Sequence, residues 1–99
     1  MSILRSFVLV TALLGLSSVA TPSFAGKVCM NGHFHFGSGP GSSKRAATKA
    51  AIRSWAGFTS FEYGSAWANF RIAKNRVVSC DYEDGEHRCS ARAIPCRYR

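Results

Sequence analysis

Residues 77–94, VVSCDYEDGEHRCSARAI, constrain this chain more than any other stretch. Asp84-Gly85 sits between two runs of strand-forming residues. Asp-Gly is a strong signal for a two-residue type I′ turn, whose central positions both need positive φ. Such a turn sets the pairing: Glu83 opposite Glu86, Tyr82 opposite His87, Asp81 opposite Arg88, Cys80 opposite Cys89. Hydrogen-bonded and non-hydrogen-bonded pairs alternate outward from the turn, which puts Cys80 and Cys89 on a non-hydrogen-bonded pair. Side chains approach most closely there, so a cross-strand disulfide is feasible. Asp81 and Arg88 become a cross-strand charge pair.

The chain has four cysteines, and an even count in a short exported protein implies disulfides, with three connectivities open. The hairpin register selects Cys80–Cys89 and leaves Cys29–Cys96 to tie the two ends together. By loop-entropy reasoning the long bridge contributes on the order of 4 kcal/mol and the short one about 2.5 kcal/mol. A four-thiolate zinc site is the rival reading, but no C-x-x-C pair is present and export favours oxidation.

Export is itself expected from residues 1–25. Arg5 supplies a basic n-region, residues 7–16 (FVLVTALLGL) an apolar run, and Ser23-Phe24-Ala25 small residues for signal-peptidase cleavage. Cleavage after Ala20 would also fit. Ten apolar residues are too few to cross a bilayer, so the reading is a cleaved signal peptide, with no transmembrane segment after cleavage. Residues 26–99 then form a single small domain, near the size where a hydrophobic core alone is marginal. The expected location is periplasmic or secreted.

Charge narrows the partner. The full chain carries 13 Lys and Arg against 5 Asp and Glu, a formal net charge of +8. Four of the acids (Asp81, Glu83, Asp84 and Glu86) lie at the hairpin tip, so the body is more basic than the average. Such an excess favours an anionic envelope polymer or a protein partner, and admits nucleic acid. The candidate anion-binding residues are Lys44, Arg45, Lys49, Arg53, Arg71, Lys74 and Arg76, with the basic first turn of the helix, its free N–H groups and the preceding Gly/Ser loop as the preferred site, although a solvated face explains the same residues.

The rest of the chain falls into short elements. Residues 27–36 (KVCMNGHFHF) alternate His33 and His35 against Phe34 and Phe36, a strand pattern with one apolar face. His-x-His on a strand can hold a divalent metal, with His87 as a third ligand, although a solvated strand face explains the same residues. Residues 37–43 (GSGPGSS) read as a flexible Gly/Ser loop with Ser42 or Ser43 as helix N-cap. Residues 44–56 are the strongest helix signal, ending at Gly57, with Ala47 or Thr48, Ala51, Ile52 and Trp55 on an apolar stripe and Phe58 just beyond. Residues 66–72 alternate as a strand, although the lack of breakers over residues 66–74 also admits a helix, and Lys74-Asn75 can turn the chain into the hairpin.

The expected fold is therefore α+β: one helix packed on a small antiparallel sheet in the order β-α-β-β-β, stapled by disulfides. The core candidates are Phe34, Phe36, Ile52, Trp55, Phe58, Phe70, Ile72 and Val78. Tyr63, Trp67 and Tyr82 fit either a second core layer or an exposed aromatic patch.

Taken together, HFHFGSG, AIRSWAGF, EYGSAWANF, SCDYEDGEHRC and AIPCR resemble a set of small exported proteins from rhizobia and related alphaproteobacteria. These carry W…YG…W…A…C…C…A-x-PC in this order, across most of residues 30–97. The resemblance implies a periplasmic or secreted protein and carries over no catalytic residues. The helix-plus-sheet order is also similar to double-stranded-RNA-binding modules, as architecture only, since their second C-terminal helix is missing.

Three function classes remain from sequence. The leading one is a non-enzymatic binding module for an anionic envelope component or partner protein, needing no cofactor. A small metal- or His-dependent hydrolase or nuclease would use His33, His35 or His87. It lacks a paired carboxylate and any Ser/His/Asp or Cys/His spacing. A cationic host-directed or antimicrobial effector is the third, and an inhibitor role stays open beside them, since a disulfide hairpin is a rigid tip that can be inserted into a cleft.

Overall fold

A computed structural model describes residues 26–99; residues 1–25, and with them the expected signal peptide, lie outside the described residues. In chain order the elements are β1 (Lys27–Cys29), β2 (His35–Gly41), α1 (Lys44–Tyr63), two 3-10 turns (Ser65–Trp67 and Phe70–Ile72), β3 (Lys74–Glu83), β4 (Glu86–Ile94) and β5 (Cys96–Tyr98). The hairpin follows its turn chemistry. Asp84 and Gly85 adopt φ of 54° and 77°, and β3 pairs with β4 in the expected register from Glu83–Glu86 to Cys80–Cys89. Both disulfides form as expected, Cys80–Cys89 and Cys29–Cys96, each between directly opposed residues of an antiparallel pair with Cα atoms 4.0 Å apart. The second bridge clamps a separate two-stranded sheet of β1 and β5.

One helix packed on small antiparallel sheets and two disulfides fit the expected fold class. The strand that completes the main sheet is a different one. Its order is β2-β4-β3, so β4 lies in the centre, antiparallel to both neighbours. β2, α1 and β3 make a split β-α-β unit with β4 inserted between the parallel strands. The expected strand over residues 66–72 is instead two 3-10 turns. The Asn69 carboxamide oxygen accepts the Arg71 N–H at 3.1 Å, a local bond that competes with strand pairing. The first expected strand is divided by a turn at Asn31-Gly32, with Gly32 at φ 86°. Asn75 has the positive φ its side chain tolerates, 55°, but inside β3. It falls where the register with β4 slips between Lys74 and Val77, a bulge where a turn was expected.

The largest correction concerns residues 37–43, which are not a flexible loop. Gly37, Gly39 and Gly41 belong to β2 and face α1. A Cβ at Gly37 would collide with the backbone of Trp55 and Ala51, at Gly39 with Ala50, and at Gly41 with Ala46 and Ala47. Every second strand residue advances about 6.6 Å, and every fourth helix residue about 6 Å. The G-x-G-x-G strand therefore keeps step with the row Ala47, Ala51, Trp55 and Thr59, all buried on α1. Small residues on both elements let the two backbones touch.

The same row explains why α1 outruns its expected end. Ser43 caps the N-terminus, its hydroxyl accepting the Ala46 N–H at 3.1 Å. At the other end the helix passes straight through Gly57 to Tyr63 and stops at Gly64, φ 102°. Gly57 costs only about 1 kcal/mol of propensity, which the burial of Thr59 two residues later outweighs.

The core is small: Ala47, Ala51, Trp55, Ala73, Cys89, Ala91 and Ala93. Trp55 is fully buried, and its Nε1–H donates to the Ala93 carbonyl at 3.2 Å. Ile52 and Phe70 pack against the cluster from its margin, and Phe34 and Ile72 are half-buried. Phe36 (61 % exposed), Phe58 (48 %) and Val78 (38 %) are not core residues. Pairing Gly37 with the helix turns Phe36 to the opposite sheet face, because strand side chains alternate.

Candidate anion-binding groove

α1 carries two adjacent stripes at i, i+4 spacing. Ile52 and Ala56 border the core row, and Lys49 and Arg53 lie further toward solvent on the same side. After Gly64 the chain turns back along the helix through the two 3-10 turns. Phe70 meets Trp55 edge-to-face, with ring centroids 5.1 Å apart, and the Asn69 cap holds the turn that carries Arg71. Between helix and turns lies an open groove of about 450 Å³, lined by Lys49, Ile52, Arg53, Ala56, Ala68, Asn69, Phe70 and Arg71. Its floor is hydrocarbon and aromatic ring, and three cations stand around it.

Three of the seven expected anion-binding residues are thus brought together. The other four are dispersed. Lys44 and Arg45 occupy the exposed first turn of α1, and Arg76 is exposed on β3. Lys74 Nζ donates to Asn31 Oδ1 at 2.9 Å, tying the bulge to the β1–β2 turn. The expected Asp81–Arg88 charge pair is opposed in register, but the Arg88 guanidinium reaches Glu86 at 3.5 Å instead. Both groups are more than half exposed, so that contact contributes little. It is the one ion pair among the described residues, and Lys49, Arg53 and Arg71 take no part in it.

The three histidines do not converge. His35 is buried with its Nδ1 sharing a 3.1 Å hydrogen bond with Thr59 Oγ1. Its ring lies 4.8 Å from Phe58 and 4.9 Å from Tyr63. Burial holds its pKa below the ordinary 6.5; Glu62 opposes that shift and His33 adds to it. His33 is exposed in the β1–β2 connection, and the His87 ring lies 4.6 Å from Tyr82 near the hairpin tip. The weak metal set His33, His35 and His87 therefore falls apart. No group of three His, Cys, Asp or Glu residues suited to a metal occurs among the described residues.

The aromatic residues divide. Tyr63 and Trp67 are half-buried with rings 6.3 Å apart, and the Arg97 guanidinium lies 5.4 Å over Trp67. Tyr82 is 66 % exposed. Ala56, Ala68 and Asn69 were missed as site residues, and Ile52 and Phe70 were placed in the core alone. The paired stripes Lys49/Arg53 and Ile52/Ala56 could have signalled a basic margin beside an apolar strip. Nothing in the sequence alone shows that residues 68–71 fold back to form the second wall. No family profile, curated protein or solved structure matches this chain.

Proposed function

We propose that this protein is a non-enzymatic binding module for an anionic component of the cell envelope, acting in the periplasm or outside the cell. The observation that carries the reading is the convergence of Lys49, Arg53 and Arg71 on one groove without an acidic partner among the described residues. Cations gathered at a concave site raise the local potential and draw in an anion, and they keep that effect because no internal carboxylate neutralises them. Two disulfides between opposed strands support an oxidising compartment. Among the described residues no helix is long and apolar enough to cross a membrane. The signal-peptide pattern of residues 1–25 adds to the same reading.

The test is binding of the oxidised protein to long-chain polyphosphate, followed across a salt series. Affinity should fall steeply, with log K linear in log salt, as contacts to phosphate release counterions. Affinity unchanged between low and high salt, or no binding at low salt, would remove the proposal.

A further inference from the structure

Resting on that reading and deepening it, we infer that the groove takes an amphiphilic phosphate, a lipid-borne phosphate whose alkyl chain lies along the floor while Lys49, Arg53 and Arg71 hold the headgroup. A site for a fully hydrated polyanion needs cations and hydrogen-bond donors, and gains nothing from hydrocarbon. Here the lining between the cations is Ile52, Ala56, Ala68 and Phe70, with Asn69 the one uncharged polar side chain. Its carboxamide oxygen accepts the Arg71 N–H, which leaves the Asn69 NH2 as the single uncharged side-chain donor of the lining. Ile52, Ala56 and Phe70 also pack against the buried cluster, so the floor is an uncovered continuation of the core.

Charge and apolar surface are arranged for one kind of molecule. Lys49 and Arg53 lie one turn apart on α1 and Arg71 lies on the second 3-10 turn, so the three cations that border the groove come from two elements. The apolar strip of Ile52 and Ala56 runs along the axis of α1 beside them. Long cationic side chains that lie on apolar surface and keep their charged ends in water suit an interface between hydrocarbon and phosphate. A soluble sugar phosphate would leave the strip in water. A neutral lipid would leave three cations without a counter-charge.

The test is a titration of the oxidised protein with butyl, octyl and dodecyl phosphate as monomers, below micelle-forming concentrations, with inorganic phosphate for comparison. Each methylene buried strengthens binding about fourfold. Affinity should therefore climb with chain length until the floor is covered, and dodecyl phosphate should bind at least about a hundredfold more tightly than inorganic phosphate. Ala56→Gln and Ala68→Gln place a neutral polar group on the floor. Each should weaken dodecyl phosphate about tenfold more than it weakens polyphosphate. Affinity independent of chain length, with polyphosphate still bound in a salt-sensitive way, would overturn the lipid inference alone and leave the anion-binding function standing. Failure of every phosphate ligand, polyphosphate included, would overturn both.

Discussion

A methyl group added at Gly37 would fall on the backbone nitrogen of Trp55, in the middle of the helix–sheet contact, whereas one added at Gly57 would meet nothing within 4 Å. Gly37→Ala must push the helix off the sheet, and overpacking of this kind costs about 1–3 kcal/mol or more. Gly57→Ala instead removes a flexible residue from an exposed helix interior and should stabilise by about 0.5–1 kcal/mol. Denaturant unfolding of the two variants should show shifts of opposite sign; equal effects would contradict the packing described. His35 supplies a second residue-level prediction. Its folded-state pKa is held below 6.5 by burial, so the folded protein favours the neutral ring. The unfolded chain binds a proton first as pH falls below 6.5, and stability is lost from there down to the folded-state value. Glu62 and His33 are the charged groups that act on it. The midpoint of thermal unfolding should drop between pH 7.5 and 5 in the natural sequence and drop less in His35→Asn, which cannot titrate.

Elements were legible where a local rule and a tertiary requirement agree. The hairpin is the clearest case: Asp84-Gly85 dictates the turn, the turn dictates the register, and the register pairs Cys80 with Cys89. Residues 37–41 are the reverse case. Gly and Pro deplete strands in general, so GSGPG reads as a loop. The glycines are needed because α1 approaches so closely, and that approach exists only once strand and helix are packed. Helix length failed for the same reason, since Gly57 is a stop only if nothing beyond it is buried, and Thr59 is. For the site, the helical wall with Lys49 and Arg53 could be read from spacing, whereas the Arg71 wall depends on the chain folding back after Gly64. The disulfides test the element-level account. Cys29–Cys96 spans 67 residues and Cys80–Cys89 spans 9, so the loop-entropy contributions are about 4 and about 2.5 kcal/mol. Unfolding free energies of Cys29→Ser/Cys96→Ser and Cys80→Ser/Cys89→Ser should show the larger loss in the first, and the opposite ranking would contradict that argument.

Across the whole molecule, charge and shape are segregated. The acids Asp81, Glu83, Asp84 and Glu86 sit at the hairpin tip with Arg88 as the one cation among them, while the other described cations lie on α1, the second 3-10 turn, the far parts of β3 and β4, β1, and residues 97–99. The resulting polarity would orient the protein toward any anionic surface with the tip pointing away. Bulk charge of this kind attracts anions wherever the cations are placed. The groove makes a stricter claim, that three particular cations matter because they share one site. Lys44, Arg45 and Arg76 carry the same total charge and lie outside the groove lining. The most direct test compares Lys49→Ala/Arg53→Ala/Arg71→Ala with Lys44→Ala/Arg45→Ala/Arg76→Ala, measuring polyphosphate affinity at one fixed salt concentration. The groove triple should lose at least about tenfold more affinity than the matched triple, with both folded by circular dichroism; equal losses would show that net charge alone binds and would contradict the assignment of the site.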